Sequence, residues 1–460
     1  MMTTRREFLR TLGAGLAASR LPGVRGATAA PEVHDRPNVI MIMADDLGYE
    51  CLRCNGSPSY ETPNLDRLAR TGMRFTHAYV NPLCTPTRVA LMTGRYNFRN
   101  YERFGTLPHG ERTFAHMVKS AGYATCIVGK WQLGDGGGKG QDPTQAGFDE
   151  HFMKIDNDSK GYADPVIYSD EFEPRPFPGA YGPDLFADYL GGFLERHRDV
   201  PFFVYYPMFL THFDFKPTPD SDAWHDGDRH EKSTRFFPDM VAYMDKNIGR
   251  IVSKLEALGL RDRTLLLFVG DNGTQRSIRS PWRGKMMRGG KSRLTEAGTH
   301  VPMIANWPGT IPAGRVVDAL VDPTDFLPTI AEATGAALPR PSGDGMIDGA
   351  SFLPVLKGEK PQVRDWILIE YINEQRSLFR GQEGRYVRDH RWKLYDRGTS
   401  RRGEPFYNAG QLFDMVADPQ EQHPIAPGSG GEEAQAARRK LQAVLDKVEQ
   451  RAELQSSGRG

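Results

Sequence analysis

The chain has 460 residues, 39% apolar and 25% charged, enough for one large core plus a smaller attached unit and unlike a disordered protein. A formal charge of +1 gives no sign of a nucleic-acid partner, and four cysteines are too few to staple a chain of this size. No stretch is long and apolar enough to span a bilayer.

Residues 1–29 read as an export signal. Arg5 and Arg6 form a twin arginine, a short and weakly apolar stretch follows, and Ala27-Thr28-Ala29 supplies the small residues of a cleavage site. This predicts export by the twin-arginine (Tat) machinery to the periplasm or beyond, with no membrane insertion of the mature protein. The segment carries five arginines and one glutamate, so its removal shifts the formal charge from +1 to −3. Cys51 and Cys54 make a lone CxxC without a second ligand pair for zinc, and read as unpaired thiols in preference to a local disulfide.

Next, 38-NVIMIMADD-46 is a continuous apolar run ending in two carboxylates. That is the pattern of a strand buried on both faces with functional groups at its carboxyl end. It returns at 264-TLLLFVGDNG-273, ending in Asp271 and Asn272. Further buried strands are predicted at 124–130 and 201–208, and helices at 64–72, 111–123 and 239–259. Strands alternating with helices predict an α/β fold, a large and mostly parallel sheet sandwiched by helices. Ligands on such sheets collect at the carboxyl ends of the strands. From about residue 366 the texture changes to short antiparallel strands (WILIEYI, YVRDHRWKLYD, QLFDMVADP) and one closing helix at 432–454. Three regions are therefore expected: the signal at 1–29, a catalytic domain at 30–365, and a smaller C-terminal α+β subdomain at 366–460.

Cys84 lies in 81-NPLCTPTRVALMTGRY-96, at or just before the start of a helix, with Arg88 one turn on. A helix N-terminus favours negative charge, so a nucleophile there has a built-in anion site. By itself the stretch reads equally well as a buried structural cysteine beside a surface arginine. Asp45, Asp46, Asp271 and Asn272 offer four oxygen-bearing groups at the ends of two strands that could be neighbours. Adjacent buried carboxylates repel, and an all-oxygen set favours a hard cation, calcium or magnesium. Lys130 and His212 each follow a predicted strand. Lys291 lies in 276-RSIRSPWRGKMMRGGKSR-293, which holds seven Lys/Arg and no acid. Such a run is usually a solvated loop, but this one begins four residues past Asn272.

Eight segments in order carry a resemblance: ADDLGY, TPNLDRLARTG, LCTPTRVALMTGR, AGYATCIVGKW, GDNG, RGGK, HVPMIANWPG and DGASFLPVLKG. The chain resembles the formylglycine-dependent (type I) sulfatases of the alkaline phosphatase superfamily. The resemblance implies a sulfuric ester hydrolase whose Cys84 is oxidised by a formylglycine-generating enzyme. One oxygen of the hydrated aldehyde attacks sulfur, forming a covalent sulfo-enzyme intermediate, and the other expels sulfate. It further implies that Arg88 stabilises the hydrated aldehyde, and that Lys130 and Lys291 neutralise the sulfate. His212 would serve the departing alcohol oxygen. Asp45, Asp46, Asp271 and Asn272 would hold calcium, which also contacts the modified Cys84.

Two positions depart from the family pattern. Gln132 stands where a histidine is usual, and His300 where arginine is common. Glutamine can hydrogen-bond but not shuttle a proton near neutral pH. The alternatives are a phosphonate or phosphodiester hydrolase of the same superfamily, and an inactive sulfated-glycan-binding relative. The former tends to pair Asp with His where Asp271-Asn272 stand here. Arg276, Arg279, Arg283, Lys285 and Arg288 exceed what one sulfate needs, so Arg276 and Arg279 are expected to bind a multiply anionic sugar.

Overall fold

The computed structural model describes residues 36–134, 140–154, 162–340, 345–371, 383–400 and 403–457. The export signal expected at 1–29 lies outside the described residues. Sixteen strands are numbered in chain order: β1 Asn38–Ala44, β2 Met73–Ala78, β3 Ala124–Lys130, β4 Glu150–Lys154, β5 Val166–Ser169, β6 Arg175–Pro176, β7 Phe202–Pro207, β8 Thr264–Gly270, β9 Arg279–Trp282, β10 Lys285–Arg288, β11 Met303–Asn306, β12 Arg315–Val321, β13 Ile367–Tyr371, β14 Gly384–Arg388, β15 Trp392–Tyr395 and β16 Leu412–Asp414.

Ten of them form one sheet in the order β12-β2-β11-β8-β1-β7-β3-β4-β5-β6. Its centre, β8-β1-β7-β3-β4, is parallel throughout. β11 is inserted antiparallel between β8 and β2, and β5 and β6 run antiparallel at one edge. The alternation of side chains along β1 explains its unbroken apolar run. Val39, Met41 and Met43 face one core, while Ile40, Ile42 and Ala44 face the other. Helices Cys84–Thr93, Phe114–Ser120 and Phe326–Thr334 cover the first face; Pro63–Thr71, Gly182–Arg196 and Phe237–Ala257 cover the second. Each helix contributes several of the buried side chains there.

β2, with the sequence MRFTHA, was not legible as a strand because only half its residues are buried. The acid-free basic stretch is not a plain loop: β9 and β10 pair as an antiparallel hairpin. The C-terminal strands form their own antiparallel sheet, β13-β14-β15-β16, with YVRDHRWKLYD split into β14 and β15 by a turn. One face of this sheet packs Leu368, Val387 and Leu394 against Leu441 and Leu445 of the closing helix. The other packs Ile367, Ile369 and Tyr371 against Leu83 and Cys84. The small sheet therefore backs directly onto the cysteine motif.

Candidate active site

β1 and β8 are neighbours in parallel register, Ala44 opposite Gly270, so both strand-end pairs emerge side by side. The Asp271 N–H donates to Ala44 O at 2.9 Å, and the Asp46 N–H to Asp271 Oδ1 at 3.1 Å. Asp46 has a φ of 60°, a left-handed conformation that a short polar residue tolerates better than most. β3 ends in Lys130, and the segment after β7 brings in His212.

Cys84 is the first residue of the helix Cys84–Thr93, and its neighbours secure it. Thr87 Oγ1 donates to Asn81 O at 2.9 Å, and Thr85 Oγ1 accepts from the Gly105 N–H at 3.1 Å. The Ser292 N–H donates to Pro82 O at 2.7 Å, tying the Lys291 loop to the motif. Residues four apart share a helix face, so Arg88 extends from below Cys84 into the carboxylates. Its guanidinium lies 2.8 Å from Asp271 Oδ2 and 3.3 Å from Asp45 Oδ2. Lys130 Nζ is 2.6 Å from Asp45 Oδ2, and Lys291 Nζ 2.6 Å from Asp46 Oδ1. Asn272 Nδ2 donates to Asp46 Oδ1 at 2.8 Å. Asp45, Asp46, Asp271 and Asn272 are all fully buried, and Cys84, Arg88, Lys130, His212 and Lys291 are at most 5% exposed.

Burial alone would raise the Asp45 carboxyl, but Lys130, His212, Arg88 and Lys291 together hold it well below the carboxylate range. Burial raises Asp46, and it raises Asp271 to about 7 with help from the charge of Asp45. Burial thus opposes ionisation of Asp46 and Asp271 even with three cationic side chains among the carboxylates. Asp45 Oδ1 and Asn272 Oδ1 are buried and accept no hydrogen bond. His212 joins Asp45 and Asp46 in a cluster of potential ligand atoms within 4.8 Å of one another. An oxygen-rich set with two unsatisfied buried oxygens fits a hard divalent cation.

Burial pushes the Cys84 thiol up despite Lys130 and Lys291, so an unmodified cysteine here is a protonated, poor nucleophile. Burial, Lys130 and Lys291 push His212 well below its ordinary value, so the ring is neutral at pH 7. Its Nδ1 has no partner. Tyr162, which the sequence did not mark, places its hydroxyl 2.7 Å from His212 O and 2.9 Å from Phe209 O. Phe213, beside His212 in the sequence, stacks on its ring at 4.6 Å and lies 5.0 Å from Lys291 Nζ.

The remaining expected site residues sit on the loops and hairpin that follow β3 and β8. Gln132 is buried in the loop leaving β3, two residues past Lys130. Arg276 is half-buried on the Cys84 side, where both it and Cys84 act electrostatically on Tyr371, a β13 residue carrying no motif. Arg279 is exposed on the hairpin opposite Arg288. Arg283 and Lys285 line a separate cavity. Cys51 and Cys54 are free thiols, as expected.

A sulfatase family model matches residues 37–336, and one for the C-terminal part of N-sulphoglucosamine sulphohydrolase matches residues 290–451. The chain belongs to the sulfatase family. It is a sulfuric ester hydrolase by that membership, with an alkaline phosphatase-like fold. Among its relatives, human arylsulfatase A is 31% identical across 93% of this chain and 87% of its own length. The N-acetylgalactosamine-6-sulfatase of Canis lupus familiaris is 32% identical across 87% of this chain and 80% of its own. A crystal structure in complex with k-i-k-neocarrahexaose superposes with a TM-score of 0.74 at 24% identity, covering 91% of this sulfatase and 93% of that chain. The phosphonate monoester hydrolase of Agrobacterium radiobacter shares the fold at a TM-score of 0.67 and 19% identity, covering 91% and 96%.

Proposed function

We propose that this sulfatase is exported by the twin-arginine route and removes sulfate from a sulfated carbohydrate. Cys84 is converted to formylglycine by a separate generating enzyme, and Asp45, Asp46, Asp271 and Asn272 hold calcium, with magnesium as the alternative. The observation that carries the reading is the convergence of Cys84, three carboxylates and the cations Arg88, Lys130 and Lys291 in one buried pocket. Formylglycine would supply an oxygen nucleophile and a second hydroxyl for sulfate release, and the cation would supply positive charge against a sulfate oxygen.

The chain's own side chains do the rest. Lys130 and Lys291 face the nucleophile as fixed ammonium groups that match the charge spread over a sulfuryl group. Arg88 keeps the Asp45 and Asp271 oxygens oriented through one guanidinium nitrogen, Nη2, which donates to both. His212, neutral and held through its backbone by Tyr162, donates an N–H to the departing alcohol oxygen. Gln132 takes the hydrogen-bonding role of the usual histidine without its proton transfer, so Gln132→Ala should lower kcat about tenfold with Tm unchanged. An unchanged kcat would remove Gln132 from the site. The saccharide substrate is supported by relatives such as N-acetylgalactosamine-6-sulfatase and the carrahexaose-bound structure.

The test is a screen of sulfated mono- and oligosaccharides and aryl sulfates for sulfate release, beside phosphonates and phosphodiesters for phosphorus release. Sulfate release by protein carrying modified Cys84 is the expected result. Turnover of the phosphorus substrates alone would overturn it in favour of the phosphonate hydrolase alternative. Tight sulfated-glycan binding with no turnover would leave a binding protein.

A further inference from the structure

A cavity of about 510 Å³ lies beside the catalytic pocket, and none of the proposed catalytic or metal-binding residues lines it. That volume falls within the range of about 300–1,000 Å³ typical of small-molecule sites. Its inner wall is a stack of three rings: His300 lies 4.1 Å from Tyr49 and 4.9 Å from Tyr79. His300 therefore has a place in this wall, although the sequence suggested no role for it. The hairpin closes one side with Trp282, whose Nε1 donates to Asn55 O at 2.9 Å and so fixes the ring. The Arg283 guanidinium sits 4.5 Å from the Trp282 ring centroid. Opposite stands the C-terminal segment with Val416, which is 72% exposed.

The charges at this cavity are unbalanced. Arg388 is neutralised by Glu296, at 2.8 and 3.1 Å. Glu50 lines the cavity as well, buried and engaged by Thr274 Oγ1 at 2.6 Å, with burial raising its carboxyl. Arg283 and Lys285 complete the charged lining, and among the described residues neither has a salt-bridge carboxylate, which leaves cations in excess. Aromatic rings and an exposed apolar side chain beside two cations without salt-bridge partners suit a ligand with an apolar face and anionic substituents. The walls are also short extensions of the catalytic loops. Tyr49 follows Asp46 by three residues, which limits their Cα separation to about 11 Å. Thr274, two residues past Asn272, bridges the two by accepting from the Gly48 N–H at 3.0 Å and donating to Glu50 Oε1 at 2.6 Å.

We infer that this cavity is a second saccharide subsite, taking a sulfated or carboxylated sugar unit of the same oligosaccharide whose ester is cleaved. The inference rests on the saccharide sulfatase reading and narrows it to substrates with anionic groups on more than one unit. It also divides the basic stretch, with Arg283 and Lys285 serving this cavity rather than the sulfate pocket.

The test uses the full chain carrying Cys84→Ala, titrated calorimetrically with chondroitin sulfate, heparin and carrageenan hexasaccharides. At least one should bind, and Trp282→Ala and the Arg283→Ala/Lys285→Ala pair should each weaken it by about tenfold or more. In the active enzyme the same substitutions should leave kcat/KM for a small aryl sulfate unchanged, which also shows that they fold. Undiminished affinity in both variants, or no binding of any of the three hexasaccharides, would overturn the subsite. Failure of the unsubstituted enzyme to release sulfate would instead sink the hydrolase reading, with the calorimetry still deciding the cavity.

Discussion

At the scale of single residues, the site turns on one sulfur. Burial raises the thiol by more than its neighbouring ammonium groups lower it, so the active form should be the oxidised one. Peptide mass spectrometry of active protein should show formylglycine at position 84, and Cys84→Ala should cut turnover by about a thousandfold or more while the fold survives. Full activity with an intact thiol would refute the mechanism. Arg88 has a different task, because it is buried between Asp45 and Asp271. Arg88→Ala leaves Asp271 without its ion-pair partner and Asp45 with Lys130 alone, a loss of about 3–5 kcal/mol in chemical denaturation. Bound calcium should recover part of that loss, so the gap between variant and parent should widen in a chelator. Chelation should also abolish activity, with calcium or magnesium restoring it; restoration by zinc alone would count against the oxygen ligand set. These residues were legible because each sits at the end of an apolar run or in a tight motif. Tyr162 and Tyr371 were not, since a tyrosine in ordinary context carries no local mark of what lies beside it.

At the scale of elements, the helix Cys84–Thr93 is the piece that aims the chemistry. All ten of its residues are buried, so it is fixed by packing on every side. It ends at Gly94, which has a φ of 68° and donates its N–H to Ala90 O at 2.8 Å. A Cβ at Gly94 would stand 3.2 Å from Leu327 Cβ and from Ile347 Cγ2. Gly94→Ala therefore combines a left-handed backbone with crowding, and should cost at least about 1–2 kcal/mol by urea denaturation. A stability unchanged within error would mean that the turn can relax without moving the helix. The strands β1, β3, β7 and β8 could be read directly, because burial on both faces demands unbroken apolar runs. The edge-side strands β2 and β12 carry arginine, histidine or aspartate, and their membership comes from pairing rather than composition.

At the scale of the whole molecule, a buried polar network joins the C-terminal sheet to the body. Glu296 accepts from Arg388 of β14 and from the Tyr79 hydroxyl at 2.9 Å, while Lys393 of β15 donates to Leu294 O at 2.7 Å. Burial would raise Glu296, but Arg388, His300 and Lys393 together lower it to about 2. Burial lowers His300 to about 4, with Glu296 opposing and Arg388 assisting. It lowers His77 to about 3, aided by Arg388, His300 and His390. The signs agree. The folded state resists protonating both histidines, so their contribution is complete above pH 6.5 and declines as pH falls through about 4 to 3. The stabilisation from Glu296 is complete above its ordinary value of 4.5 and declines as pH falls towards 2. Tm should therefore drop in two overlapping stages on acidification, and His300→Gln should flatten the first. An identical profile in that variant would place the acid-sensitive groups elsewhere.

The amino-acid order alone determined the family, the buried central strands, a helix starting at or just after Cys84, and the residue types that gather at the strand ends. All of these are local signals, set by side-chain alternation, helix-start geometry and the chemistry of short motifs. What only the tertiary structure decided is which groups meet. Asp46 and Lys291 touch across 245 positions, Arg88 and Asp271 across 183, and Asp45 and Lys130 across 85. The insertion of β11 between β8 and β2, the folding of the basic stretch into a hairpin, and the ring stack around His300 belong to the same class. Each depends on strand order and register, which are fixed by the packing of distant segments and leave no trace in the composition of any one of them.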